Sequence, residues 1–140
     1  VLPALFRRVG GVRFERQRIA TADGDFIDLD WSRIGSNCVA IVCHGLESSS
    51  QEAYMRGMIR AMNRRRWDAV ALNFRGCSGE PNRLFRSYHS GETDDLAAVV
   101  EKIGESDEYR SVVLIGFSIG GNVVLKYLGE HGQSGALDTA

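Results

Sequence analysis

Apolar and charged positions alternate along the first part of the chain, between Gly11 and Trp31. This alternation is typical of half-buried strands, in which side chains point in turn to the core and to solvent. The apolar positions are Val12, Phe14, Phe26, Ile27, Leu29 and Trp31. Between the two groups, residues 21–25 contain an Asp-Gly turn signal. We therefore predict two strands joined as an antiparallel β-hairpin.

The pattern changes after Asn37. Residues 38–43 are apolar without alternation, as in a strand that is buried on both faces. From Gln51 to Arg66 the apolar side chains instead recur at helical spacing, at Tyr54, Met55, Met58, Ile59 and Met62. A buried strand is therefore expected to precede an amphipathic helix.

This strand-helix unit recurs twice. Residues 69–72 predict a strand, and the following helix has Leu96, Val99, Val100 and Ile103 at helical spacing, with Glu92, Asp94 and Asp95 near its positive end. Residues 111–115 predict the next strand and residues 121–130 the next helix. Units joined this closely favour right-handed crossovers and a parallel sheet covered by helices on both faces. The sequence therefore predicts one α/β domain over residues 1–140.

The third strand-helix junction carries a candidate nucleophile. Residues 116–120, Gly-Phe-Ser-Ile-Gly, match G-x-S-x-G between a strand and a helix, the context that gives this motif its meaning. We expect Ser118 to be strained, and side chains at positions 116 and 120 to collide with neighbouring backbone. The hydroxyl would then lie at the carboxyl edge of the sheet, near a helix N-terminus that stabilises negative charge. Chance matches to so short a pattern also occur, and the flanking elements argue against one here.

A second loop complements this junction. The strand that ends at Cys43 continues into His44, Gly45 and Leu46. In folds built around a nucleophile elbow, the loop after this strand supplies half of the oxyanion hole. The N–H groups of Leu46 and Ile119 are therefore the predicted donors, and we expect Gly45 to let the backbone turn toward the oxyanion.

The three histidines are poor candidates for the general base. A triad of this kind runs Ser, then Asp or Glu, then His, and both His44 and His89 precede Ser118. We expect His44 to hydrogen-bond and shape the oxyanion loop, and His89 to set the entry to the second helix. His131 closes the third helix, where such a side chain is an ordinary C-terminal feature.

Five segments together resemble the YheT-like branch of the α/β-hydrolases: residues 23–31, 54–60, 71–83, 87–96 and 116–129. That branch comprises predicted bacterial esterases and eukaryotic relatives, some linked to phospholipid or acylglycerol hydrolysis. The resemblance implies an eight-stranded hydrolase sheet and a small-molecule or lipid ester as substrate. It also implies Ser118 as nucleophile, with Leu46 and Ile119 as oxyanion donors.

The resemblance also implies a triad acid and histidine well after the nucleophile, whereas only 22 residues follow Ser118 in the 140-residue chain. Asp138 is the only carboxylate beyond the third predicted helix, and the resemblance does not place it at the acid position. We interpret the chain as the amino-terminal half of a hydrolase domain. The strand before Ser118 would then have an open edge. We expect one of three situations. A second polypeptide supplies the missing half, that half was lost, or the chain self-associates through this edge.

Composition and charge exclude other classes of function. Seventeen basic and eighteen acidic residues give a net charge of −1, which argues against a nucleic-acid partner. The apolar runs are far shorter than the roughly 18 residues of a membrane span. Cys38, Cys43 and Cys77 form neither a disulfide framework nor a zinc motif, which favours a cytoplasmic location. No spacing calls for a metal or an organic cofactor.

Two other interpretations stay open at this point. The missing triad members are compatible with a non-catalytic, hydrolase-like binding scaffold. Residues 116–122 narrowly miss a dinucleotide-binding fingerprint, although that fingerprint belongs after the first strand of its fold. The glycine-rich residues 75–82 lack the ending of a P-loop, so we expect them to shape the mouth of the pocket.

Overall fold

The computed structural model describes residues 11–84 and 93–132. Within these ranges, five strands and three helices follow one another in the order β1 (Glu15–Ala20), β2 (Phe26–Ser32), β3 (Cys38–Cys43), α1 (Ala53–Arg64), β4 (Asp68–Asn73), α2 (Asp94–Glu105), β5 (Ser111–Gly116) and α3 (Ile119–His131). The predicted elements are all present, and α3 begins two residues earlier than expected. The predictions made for His89, Glu92 and Asp138 concern residues outside the described ranges.

The strands form one mixed sheet in the order β1-β2-β4-β3-β5. The pairs β1–β2 and β2–β4 are antiparallel, whereas β3 runs parallel to both β4 and β5. The predicted hairpin and the parallel strand-helix units are thus confirmed. Cys43 pairs with Gly116, so β3 and β5 end at the same level and the loops after them emerge side by side.

Helices cover both faces of the sheet. Successive residues of a strand point to opposite faces, so each strand contributes side chains to both layers. Val39, Ile41 and Cys43 of β3 pack in the cluster that includes α2 and α3. Val42 packs on the other face, in the cluster that includes Met55 and Ile59 of α1. The double burial predicted from the uninterrupted apolar run is therefore confirmed.

The strand β2 departs from expectation, because all seven of its residues are buried. The half-buried alternation predicted for this strand was wrong. β2 lies inside the sheet between β1 and β4, and arginines of β1 cover its polar face. Arg18 binds Asp28 at 2.8 and 2.9 Å, and Arg16 binds Asp30 at 2.9 and 3.0 Å. The negative charges of Asp28 and Asp30 are therefore compensated by ion pairs with arginines and not by contact with solvent.

The strand β5 lies at one edge of the sheet within the described residues, where it pairs with β3 alone. All six of its residues are partly exposed. This position agrees with the open edge expected beside Ser118, while the partner proposed for that edge stays a prediction. None of the helices in the described ranges has the length and apolar character that a membrane crossing requires.

Candidate active site

Ser118 occupies the sharp turn between β5 and α3. Its backbone angles are φ 54° and ψ −119°, outside the regions that residues with a side chain ordinarily adopt. Two hydrogen bonds hold the turn: Phe117 N–H donates to the Cys43 carbonyl at 3.0 Å, and Gly120 N–H donates to the Phe117 carbonyl at 2.9 Å. The Ser118 residue is exposed and immediately precedes the helix. The strained turn expected from the motif is therefore present.

The two glycines of the motif are required by close backbone contacts. A Cβ at position 116 would lie 2.4 Å from the Gly120 carbonyl oxygen. A Cβ at position 120 would lie 2.5 Å from the His44 carbonyl oxygen and 2.6 Å from that of Cys43. These distances are shorter than real carbon–oxygen contacts. The glycines thus let α3 start directly against the ends of β3 and β5.

Side chains on both sides hold Gly45. Its N–H donates to the Tyr54 hydroxyl at 2.8 Å, and its carbonyl accepts a hydrogen bond from His44 Nδ1 at 2.6 Å. The left-handed conformation in this loop belongs to Glu47, with φ 49°, and not to Gly45. A Cβ on Gly45 would meet only ordinary contacts, at 3.5 Å from the Tyr54 hydroxyl and 3.6 Å from Ser118 Cβ. We expected Gly45 to let the backbone turn, but this loop does not place Gly45 in a conformation that only glycine adopts readily.

His44 is completely buried and both of its ring nitrogens are engaged. Because Nδ1 faces a carbonyl it donates, and because Nε2 faces the Phe74 N–H at 3.0 Å it accepts. The ring is therefore neutral, with its proton on Nδ1. Burial lowers the pKa of His44 and outweighs the opposing effect of its hydrogen bond to Gly45. This geometry fits the loop-shaping role expected of His44.

A cavity of about 650 Å³ joins the two loops. Its lining comprises Gly45, Leu46, Glu47, Ser48, Glu52, Tyr54, Phe117 and Ser118. The structure thus brings the predicted Ser118 and Leu46 together in one cavity, with Ile119 beginning the helix beside them. In the described part of the chain, neither the Leu46 nor the Ile119 amide donates a backbone hydrogen bond outside helices and strands. Leu46 lines the cavity and Ile119 directly follows Ser118 in the chain, while the role of their amides as oxyanion donors stays a prediction.

The glycine-rich residues 75–82 lie elsewhere. None of them lines the cavity at Ser118, so their expected place at its mouth is not supported. Arg75 at the start of this segment is buried and binds Asp95 and Asp23. Asn82 at its end donates to the Phe26 carbonyl at 2.8 Å. The segment is therefore tied to the β1–β2 turn and to α2.

No general base contacts Ser118 within residues 11–84 and 93–132, where its hydroxyl makes no side-chain hydrogen bond. His131 donates from Nδ1 to the Tyr127 carbonyl at 3.2 Å in the last turn of α3, as its C-terminal position suggested. Cys43 lies below the turn and is fully buried, and burial raises the pKa of its thiol to about 12. Within the described ranges, the site therefore presents the Ser118 hydroxyl without a side-chain hydrogen-bond partner.

Sequence reasoning missed Tyr54. Its place in the helical apolar pattern pointed to a core residue, and its ring does pack edge-on against Phe117, with the ring centroids 4.9 Å apart. Its hydroxyl, however, bonds Gly45 N–H and also Ser48 Oγ, at 2.7 Å. The available signal was a tyrosine in the first turn of a helix that directly follows the predicted oxyanion loop.

Comparisons with known proteins identify the fold family of this chain. A family model described as alpha/beta hydrolase fold matches residues 40–136. The chain is 38% identical over 144 residues to "Putative esterase YheT" of Escherichia coli (strain K12), covering 100% of this chain and 42% of that protein. It is 30% identical over 138 residues to phospholipase ABHD3 of Mus musculus, covering 92% of this chain and 34% of that protein. The chain thus spans less than half the length of these curated relatives.

Solved structures show the same fold. The esterase Pf2001 of Pyrococcus furiosus superposes with a TM-score of 0.73 at 26% identity, covering 89% of this chain and 52% of that one. XC6422 of Xanthomonas campestris, a serine hydrolase without a lid, superposes with a TM-score of 0.70 at 22% identity. That match covers 89% of this chain and 59% of the other, and at this identity it speaks to the fold alone.

Proposed function

Because this chain belongs to the α/β-hydrolase fold family, we propose that it carries the nucleophilic half of a serine hydrolase that cleaves carboxylic esters. The observation that carries the proposal is the position of Ser118, exposed on a strained turn and sharing a cavity with the Leu46 loop. An elbow of this kind holds a hydroxyl clear of the helix so that it can reach a substrate carbonyl.

In the proposed reaction, Ser118 Oγ attacks the ester carbonyl carbon while its proton passes to a histidine. The negative charge that develops on the carbonyl oxygen is stabilised by the N–H groups of Leu46 and Ile119. Collapse of the tetrahedral intermediate breaks the ester C–O bond, and the alcohol leaves with the proton from the histidine. Water then hydrolyses the acyl-serine by the same steps, which releases the acid and restores Ser118. The mechanism uses no cofactor.

The histidine and its carboxylate partner are proposed to lie outside the 140 residues. His44 is buried, with Nδ1 bonded to Gly45 and Nε2 bonded to Phe74, so it is unsuited to accept a proton from Ser118. A further polypeptide segment would pair with the edge of β5, next to the turn that carries Ser118. The substrate is a small-molecule or lipid ester, and the relatives named esterase and phospholipase support both classes.

Covalent labelling tests the proposal. The intact protein, with any polypeptide that follows Ala140 in its gene, is incubated with a fluorophosphonate probe and the labelled peptide is identified by mass spectrometry. We expect one adduct, on Ser118, that is absent from Ser118→Ala and unchanged in Ser106→Ala, where a serine at the end of α2 is removed. A folded protein that takes up no probe would favour a non-catalytic binding scaffold, and an adduct on another residue would contradict the assignment.

A further inference from the structure

We propose that Tyr54 is a positioning residue whose hydroxyl, together with the His44 ring, fixes the direction of the Leu46 N–H. This inference rests on the proposed function, since it concerns the donor that would stabilise the oxyanion. Tyr54 lies in the first turn of α1, and its hydroxyl contacts Gly45 and Ser48 of the loop of residues 44–48.

The argument begins with the peptide group shared by Gly45 and Leu46. A peptide is planar and trans, so the Gly45 carbonyl and the Leu46 N–H point in opposite directions. His44 Nδ1 holds that carbonyl at 2.6 Å, and Nε2 of the same ring is held at 3.0 Å by the Phe74 N–H. The orientation of a buried ring thereby sets where the Leu46 N–H points.

One hydrogen bond on the carbonyl still leaves the loop free to rotate about the Gly45 backbone. The Tyr54 hydroxyl removes this freedom, because it accepts the hydrogen bond of Gly45 N–H on the preceding peptide group at 2.8 Å. Two consecutive peptide groups are then fixed by two side chains. Glycine needs such external restraint more than other residues, since it has no Cβ to limit its backbone angles.

Tyr54 is itself held in place from two directions. Besides accepting from Gly45 N–H, its hydroxyl shares a hydrogen bond with Ser48 Oγ at 2.7 Å. Its ring packs against that of Phe117, the residue before Ser118. Tyr54 therefore links the loop that carries the Leu46 donor to the turn that carries the serine, and it can keep their separation constant.

The expected consequence is a loss of preorganisation and not of binding. Removing one oxyanion donor outright lowers kcat about 100- to 1000-fold in serine hydrolases. A donor that is present but poorly aligned loses part of its contribution to kcat. We therefore expect Tyr54→Phe to lower kcat about 10-fold, with KM nearly unchanged. The phenylalanine ring preserves the packing on Phe117 and removes only the hydroxyl.

The experiment compares an ester with its thiono analogue in the intact protein, using p-nitrophenyl butyrate and the compound in which sulfur replaces the carbonyl oxygen. Sulfur is larger and a weaker acceptor, so a well-aimed oxyanion hole discriminates against the thionoester. We expect Tyr54→Phe to reduce the oxygen-to-sulfur ratio of kcat/KM at least 5-fold. Tyr109→Phe is the matched control, because it loses a tyrosine hydrogen bond of 2.6 Å to Asp68 in the scaffold, and its ratio should equal that of the wild type.

Ser48→Ala is the second variant and keeps the test decisive if Tyr54→Phe does not fold. It frees the Tyr54 hydroxyl from one partner and should shift the ratio in the same direction by about 2-fold. Wild-type ratios in whichever of these variants fold would overturn the inference while leaving the proposed function intact. A wild-type protein without fluorophosphonate labelling at Ser118 would instead overturn the proposed function, and the inference with it.

Discussion

The guanidinium of Arg75 binds both carboxylate oxygens of Asp95, at 2.8 and 2.7 Å, and both residues are almost completely buried. The same guanidinium bonds Asp23 at 2.8 Å and Asp25 at 3.4 Å. One cation thus lies among three carboxylates that come from the β1–β2 turn and the first turn of α2. The start of α2 is held to the sheet by charge as well as by apolar packing.

Arg75→Met should destabilise the fold strongly. It leaves buried carboxylates without their cation, and breaking a buried pair in this way costs about 3–5 kcal/mol. Urea unfolding followed by circular dichroism measures the change in the free energy of unfolding. Arg83→Met is the control, because Arg83 is exposed and its loss should change this free energy by less than about 0.5 kcal/mol. Equal losses in the two variants would show that the buried cluster has no special weight.

Ser118→Gly should be more stable than Ser118→Ala by about 1 kcal/mol. Glycine adopts φ 54° and ψ −119° without the steric cost that a Cβ incurs, while both variants lose the hydroxyl. Thermal unfolding of the two proteins provides the comparison. At Lys102, an exposed position inside α2, the same pair of substitutions should give the opposite order, since alanine is the better helix former. Alanine more stable than glycine at position 118 would mean that the turn is unstrained.

Gly116→Ala and Gly120→Ala should each cost at least about 2 kcal/mol of unfolding free energy. Their new methyl groups would overlap backbone atoms at 2.4 and 2.5 Å, and backbone cannot move aside as a flexible side chain can. Gly129→Ala in α3 meets nothing within 4 Å and should be neutral or stabilising by up to about 1 kcal/mol. Denaturant titration of the three variants checks this order. Unchanged stability in Gly116→Ala would contradict the close approach of α3 to β5.

Stability should fall as the solution is acidified below about pH 4. Burial alone raises the pKa values of Asp28 and Asp30, but hydrogen bonds from Arg18 to Asp28 and from Arg16 to Asp30, with other contacts, outweigh it, so both lie below the ordinary value. Carboxyls with a lowered pKa in the folded state contribute stability above their unfolded pKa of about 3.9, and lose it as the pH falls through the folded values.

Urea midpoints at pH 6, 4 and 3 measure this dependence. Asp30→Asn removes one of the two carboxyls and should flatten the profile, while Asp107→Asn, at an exposed position, should leave its slope as in the wild type. A profile that is level down to pH 3 would show that the arginine pairs across β1 and β2 contribute nothing to stability.

The sequence predicts much of this fold because β3, β4 and β5 are uninterrupted apolar runs followed by helical patterns. The turn at Ser118 is predictable in part from local contacts, since Gly116 is required by the backbone of Gly120 and Gly121, whereas Gly120 is required by the distant carbonyls of Cys43 and His44. The burial of β2 is not predictable from the sequence, because Asp28 and Asp30 have the pattern of solvent-facing positions until their partners are known. Asp30 also accepts from Ser50 and Asn73, which lie 20 and 43 residues away along the chain.

The role of Tyr54 escapes sequence reasoning in the same way. Its ring follows the apolar face of α1, and nothing local shows that its hydroxyl turns back to a glycine amide nine residues earlier. The fold of the Gly45 loop has to be known before that contact can be recognised.

The buried Cys43 offers a way to observe motion beneath Ser118. Its thiol has no access to solvent and a pKa of about 12, so at neutral pH almost no thiolate is present to attack iodoacetamide and displace iodide while β3 stays in place. Alkylation therefore requires a local opening in which β3 separates from β4 and β5. The rate at which the Cys43 thiol is alkylated would therefore report how often native molecules open next to the turn that carries Ser118.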